Sequence, residues 1–143
     1  MDLAKRYAAY AQAFDLTCED DDWSRLEEFF TEDACYRPDG TPASEIVGRK
    51  AIFEYLKQDL DAFDRRMNKR TLSFLEPHRV EGDRVISHWE MRCEKQGLPD
   101  LVFKGCETAI FEGDRIGSLS DAFEPDQIAR IESWRADHGD VLG

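Results

Sequence analysis

Two carboxylic acids stand alone among apolar neighbours in the C-terminal half of the chain. Alternation along 115–123 puts Gly117, Leu119, Asp121 and Phe123 on one face, and along 101–111 it groups Leu101, Phe103, Gly105, Glu107, Ala109 and Phe111. A carboxyl group in such company loses hydration. That favours its neutral form, raises its pKa and lets it carry a proton near neutrality. The plainer alternative for either acid is a wet sheet margin or an arginine partner. Asp121 and Glu107 are therefore the first candidates for acid–base chemistry. The segment 84–95 is ambiguous. Val85, Ser87, Trp89, Met91 and Cys93 share one face, and Ile86, His88, Glu90, Arg92 and Glu94 share the other. A slip of one residue or a bulge exchanges the two sets. Core packing favours the Trp89 set inside, whereas a polar site favours Arg92 with Glu94.

Other chemistries lack their residues. Cys18, Cys35, Cys93 and Cys106 form no Cys-x-x-Cys pair, and His78, His88 and His138 show no i,i+4 spacing. Zinc sites need ligands at close, characteristic intervals, so free thiols and no metal or cofactor are expected. There is no glycine-rich phosphate loop, nucleophile elbow or Ser/His/Asp arrangement, which argues against phosphoryl transfer and serine hydrolysis.

The elements that must position these residues change period near residue 71. Residues 2–17 read as a helix with Leu3, Tyr7, Ala11 and Phe14 on one stripe. The acidic run Glu19-Asp20-Asp21-Asp22 reads as a solvated turn, with Asp22 capping a second helix over 23–30 that buries Trp23, Leu26 and Phe30. A short strand at 34–37 stops at Pro38, and Pro38-Asp39-Gly40-Thr41-Pro42 is a loop. A third helix starts near Arg49 and carries Ile52, Leu56, Leu60 and Phe63. Four strands follow at about 71–80, 84–95, 101–111 and 115–123, with glycine turns at Gly82 and Gly113. A last helix, 126–138, carries Ile128, Ile131 and Trp134. Helices segregated from a meander make an α+β fold, a strongly bent and mostly antiparallel sheet packed against three N-terminal helices, plus a C-terminal helix.

Length and charge bound the rest. A chain of 143 residues fits one domain, read here as 1–143 with a core over 5–125, and buries enough surface to need no staple. Nineteen basic against 31 acidic residues give a formal net charge of −12, which repels nucleic acid and anionic membrane alike. No apolar run approaches the roughly 20 residues of a membrane span. The N-terminus lacks the apolar stretch of a secretory leader, so a cytoplasmic location is expected.

Several local motifs resemble the SnoaL-like and ketosteroid-isomerase-like superfamily, the cone-shaped barrels related to nuclear transport factor 2. They are Asp22-Trp23-Ser24-Arg25-Leu26, Phe30-Thr31-Glu32-Asp33-Ala34, Gly48-Arg49-Lys50-Ala51-Ile52 and the stretch from Asp114-Arg115-Ile116 to Ser120-Asp121-Ala122-Phe123. The resemblance implies a conical, mostly apolar cavity on the concave sheet face with a few polar groups near its base. Three templates within the superfamily differ in chemistry. Limonene-type epoxide hydrolases hold a water with a tyrosine and an asparagine and relay protons through an Asp-Arg-Asp set. Here Tyr36 matches the tyrosine, Arg92-Cys93-Glu94 is similar to the Arg-x-Asp motif, Asp121 matches the final acid, and Pro38 replaces the asparagine. Scytalone-dehydratase-like members resemble this chain at Tyr10, Asp15 and Asp22-Trp23, but Leu72 and Ser73 stand where their histidine would be. Ketosteroid isomerase needs an aspartate base with a tyrosine and a protonated aspartate. Here Phe14 stands at the tyrosine and Arg37 or Pro38 at the base, with only Glu107 near the second acid.

Residues and resemblance together give a pocket protein for a small, largely apolar organic ligand, using cofactor-free acid–base catalysis of the epoxide hydrolase, dehydratase or isomerase/cyclase type. Asp121 and Glu107 carry protons, Arg92 with Glu94 is the electrostatic partner, and Tyr36 donates a hydroxyl. Trp89, Phe103, Leu119, Phe123 and Phe14 form the wall. The alternative is a non-catalytic ligand-binding or dimerisation domain. The resemblance implies a homodimer, and outer positions such as Ile110 and Ile116 are expected to need cover.

Overall fold

The computed structural model describes residues 1–142. Helix α1, Leu3–Asp20, starts at Asp2, whose carboxylate accepts the Lys5 N–H at 3.1 Å. It buries Tyr7, Tyr10, Ala11, Ala13 and Thr17 on one side. The helix runs further than 2–17 and ends on Asp21 in the left-handed region, at φ 60°. The acidic run is thus not a plain solvated turn. Asp21 accepts from the Trp23 indole at 2.7 Å, from Lys57 at 2.6 Å and from Arg65 at 3.1 Å, so one carboxylate ties three segments together. Asp22 caps the next segment as expected, accepting the Ser24 N–H, but Trp23–Phe29 winds as a 3-10 helix instead of an α-helix.

Strand β1, Phe30–Arg37, is longer than the four residues read from sequence, because Phe30 already pairs with Ile116. Strand β2, Ile46–Val47, pairs with its far end. Helix α2, Arg49–Ala62, buries Ile52, Leu56 and Leu60 at the expected spacing, and Phe63 is buried just beyond it. The strand expected over 71–80 divides into β3, Lys69–Phe74, and β4, Arg79–Glu81. The physical reason is Pro77, which has no N–H for the ladder: Leu75 still donates to the His88 carbonyl at 2.9 Å, and 76–78 leave the sheet. Strands β5, Arg84–Glu94, β6, Leu101–Glu112, and β7, Arg115–Ala122, complete the meander.

The sheet order is β2-β1-β7-β6-β5-β3, with β4 also paired to β5. All pairings are antiparallel except β1 with β7. The sheet curls but does not close, so the cone is an open one with free edges at β2 and β3. Register shifts between Phe30 and Cys35, and between Ile110 and Phe111, add local bend. The second shift turns Ile116 into the core, where it is fully buried, so it does not lie on the outer face with Ile110.

Helix α3, Pro125–His138, opens with proline at its first turn. Its inward stripe is Gln127, Ile131 and Trp134; the last two are the ones read in the sequence, while Gln127 takes the place expected of Ile128, which is left exposed. The cause is polar. The Gln127 side-chain carbonyl accepts the Lys104 N–H of β6 at 2.8 Å, and the Trp134 indole donates to the Pro99 carbonyl at 2.9 Å. One apolar cluster packs α1 and α2 on the sheet, and a second joins Phe63, Met91, Leu101 and Trp134. No described helix is long and apolar enough to cross a membrane.

Candidate functional site

Between α1, α2, the second half of α3 and the concave sheet face lies a cavity of about 320 Å³. Its base is set by strand register. Glu107 on β6 and Asp121 on β7 are directly opposed, so both carboxyl groups rise from the same face of the sheet side by side. Parallel pairing of β1 with β7 brings Tyr36 alongside, and its hydroxyl donates to Asp121 Oδ2 at 2.7 Å. From the other side α1 lowers Tyr7, whose hydroxyl donates to Glu107 Oε1 at 2.6 Å. The result is a row of phenol, acid, acid, phenol.

Electrostatics separates the partners. Asp121 is 9% exposed, and its Oδ1 has no hydrogen-bond partner among the described residues. Burial pushes its carboxyl well above the ordinary range, and the neighbouring Glu107 carboxyl pushes it further. The Tyr36 hydroxyl pulls the other way, less strongly. Its surroundings therefore favour the neutral form of Asp121. Burial, followed by these same carboxylates, raises the phenols of Tyr7, Tyr10 and Tyr36 as well, so all three remain donors. Ser87 on β5 faces Glu107 across the strand pair, and its buried Oγ has no partner among the described residues.

The wall is aromatic. Trp89 lies 5.8 Å from Phe103 and 5.6 Å from Phe123, ring centre to ring centre, both edge-on. Trp89 lies over Gly105, its partner on β6, where any Cβ would collide with the indole. Leu119 is fully buried and faces the same space. Phe14 lines it on the α1 side, beneath the Arg70 guanidinium at 5.9 Å. All five wall residues read from sequence thus border one cavity, together with Tyr36, Glu107 and Asp121. Pro38 borders it beside Tyr36.

Arg92 and Glu94 do not join them. Val85, Ser87, Met91 and Cys93 are buried, so the Trp89 set faces inward and the alternate set outward. Arg92 is half-exposed and bonds Asp100 at 2.7 Å, a surface ion pair remote from the acids. His88 lies on that outer face too, 3.5 Å from Glu76. The electrostatic partner expected from the Arg-x-Asp likeness is therefore absent from the cavity, because a large ring fits against Gly105 better than a charge does. Among the described residues no group of three or more His, Cys, Asp or Glu side chains could hold a metal.

Sequence reasoning missed the role of Tyr7. It sits on the α1 stripe as an apparent core residue, although a buried phenol usually finds a partner for its hydroxyl. That tendency was the available signal.

A curled, open, mostly antiparallel sheet with helices laid over its concave face and a cavity between them is the architecture of the NTF2-like proteins. The chain belongs to the SnoaL-like family within that group: the family model for the SnoaL-like domain matches residues 8–118. Among solved structures, Bal32a from a soil-derived mobile gene cassette is 23% identical, with 94% of this chain and 100% of that chain covered at a TM-score of 0.65. An LEH-like epoxide hydrolase from M. tuberculosis is 15% identical, covering 97% and 98% at 0.63. TerC, co-crystallised with polyporic acid, is 13% identical, covering 90% and 97% at 0.65. At these identities the likeness is one of fold. No curated protein matches the sequence.

Proposed function

We propose that this protein is a cofactor-free acid–base catalyst that moves protons on a small, largely apolar carbonyl compound, as an isomerase, cyclase or dehydratase does. One observation carries the reading: a buried Asp121, which its surroundings push toward the neutral form, lies beside Glu107, and each is held by its own phenol. Glu107 takes the proton from a carbon next to the carbonyl as that C–H bond breaks. Asp121 delivers its proton to the carbonyl oxygen, leaving an enol and an Asp121 carboxylate. Return of a proton from Glu107 to another carbon, and of the enol proton to Asp121, resets both acids. Opening of an epoxide by water is disfavoured, because Pro38 lacks an amide to hold the water and Arg92 lies outside the cavity.

The test needs no substrate. Carboxyl carbon NMR across a pH titration is expected to show Asp121 titrating well above the ordinary aspartate range. An ordinary value would remove the proton donor and leave the second reading, a non-catalytic binding domain. That reading draws on Phe14, Pro38 and Leu72, which stand where the related templates carry catalytic side chains. Once a substrate is known, Asp121→Asn abolishes turnover while binding and folding persist. The proposal takes 1–143 as one cytoplasmic SnoaL-like domain that pairs as a homodimer. Sedimentation equilibrium at twice the chain mass checks the pairing.

A further inference from the structure

The rim of the cavity carries two arginines in unlike circumstances. Arg70 is committed: it bonds Asp64 at 2.6 Å and Asp15 at 3.0 Å. Arg135, on α3, borders the same space, yet among the described residues its side chain makes neither an ion pair nor a hydrogen bond. Its guanidinium lies over the Phe63 ring, 4.4 Å from the centre, which fixes its place at the rim without neutralising it. Asp59 and the Arg70-bound Asp64 also line the cavity. Asp59 is exposed and forms no ion pair with Arg135, although the larger upward push of burial and Asp64 on its carboxyl is opposed by the Arg135 charge. The guanidinium thus has five N–H donors and a flat apolar seat but no acceptor, an arrangement suited to a carboxylate. The Asp121 and Glu107 acids and the aromatic wall of Trp89, Phe103 and Phe123 line the same cavity.

We propose that the ligand is an organic acid: a ring compound whose body lies on the aromatic wall and whose single carboxylate is held at the rim by Arg135. This deepens the reading above and rests on it for the identity of the site. The pairing orients the ligand, because only one end can leave the apolar interior for the guanidinium, and the other end then meets the acids. The SnoaL-like match stops at residue 118, before α3 begins at Pro125, so the rim cation comes from a part of the chain outside the matched region.

Three probes with one ring system isolate the charge: 2-naphthoate, 2-naphthylmethanol and 2-naphthylmethylammonium, each titrated by calorimetry. The expected order is naphthoate tightest, by about tenfold over the alcohol, with the ammonium weakest and the preference shrinking as salt is added. Arg135→Gln equalises naphthoate and alcohol, Arg135→Lys restores part of the difference, and Asp59→Asn strengthens naphthoate alone. Circular dichroism verifies that each variant is folded. Equal binding of acid and alcohol, tightest binding of the ammonium, a preference that survives Arg135→Gln, or no binding of any probe would each overturn the proposal. The Asp121 titration is independent of these outcomes. An anion preference with an ordinary Asp121 keeps the ligand class and loses the catalysis, and the reverse result does the opposite.

Discussion

Asp121 links the proposed catalysis to stability through one proton. Its folded-state value lies above the unfolded value of about 3.9, so the folded chain retains a proton that the unfolded chain releases. The stability this proton contributes is complete below the unfolded value and is lost as pH rises toward the folded one. Asp121→Asn keeps the shape, still accepts from Tyr36 and still offers a donor toward Glu107. The variant is therefore expected to melt at a higher temperature than the parent at pH 8, with the gap closing near pH 4. Parallel melting curves at the two pH values decide it. Tyr36→Phe removes the one contact that favours the Asp121 carboxylate, so the Asp121 titration moves further upward in that variant, read by the same carboxyl NMR. Both acids were legible in the sequence because each is the lone charge on an alternating apolar face. Tyr7 was not, since the acid that satisfies its hydroxyl lies 100 residues away along the chain.

At the level of elements, the inward face of β5 is decided by packing. Trp89 takes the place over Gly105, and everything on the alternate face, Arg92 included, goes outward. The glycine was visible within its strand pattern, but its meaning required knowing which side chain lies opposite. Gly105→Ala forces the indole off its seat and is expected to cost about 1–3 kcal/mol in urea unfolding, with loss of Trp89 protection from quenchers. Helix α3 is tied down by a polar contact that periodicity cannot reveal. Gln127→Leu would leave the Lys104 N–H without its acceptor, at a cost of about 1–3 kcal/mol in the same measurement. A leucine there would have been the conventional choice for a buried stripe, which is why the sequence pointed to Ile128. Pro77 belongs to the same lesson: its missing N–H divides a strand that alternation alone reads as continuous.

The whole molecule balances a hollow interior against a formal net charge of −12. Unfilled space forfeits dispersion contacts, and like charges repel across the surface. Raising ionic strength from about 0.01 to about 0.15 M shortens the Debye length from about 30 to about 8 Å, so the melting temperature is expected to rise over that range. A scan of melting point against salt checks it, and a flat response would assign the repulsion no weight. The α+β architecture was readable because the change from a helical to an alternating period is long and clean. The open edges of the sheet were not, because closure depends on which distant strands meet.

The parallel pairing of β1 with β7 has one more consequence. Tyr36 and its acid are 85 residues apart, and the strand between β1 and the rest of the sheet is the last one made. On the ribosome, the first half of this chain must wait with its aromatic residues uncovered until β7 has cleared the exit tunnel. Chaperone occupancy of nascent chains should therefore be highest for those that stop short of β7, and should fall once that strand has emerged.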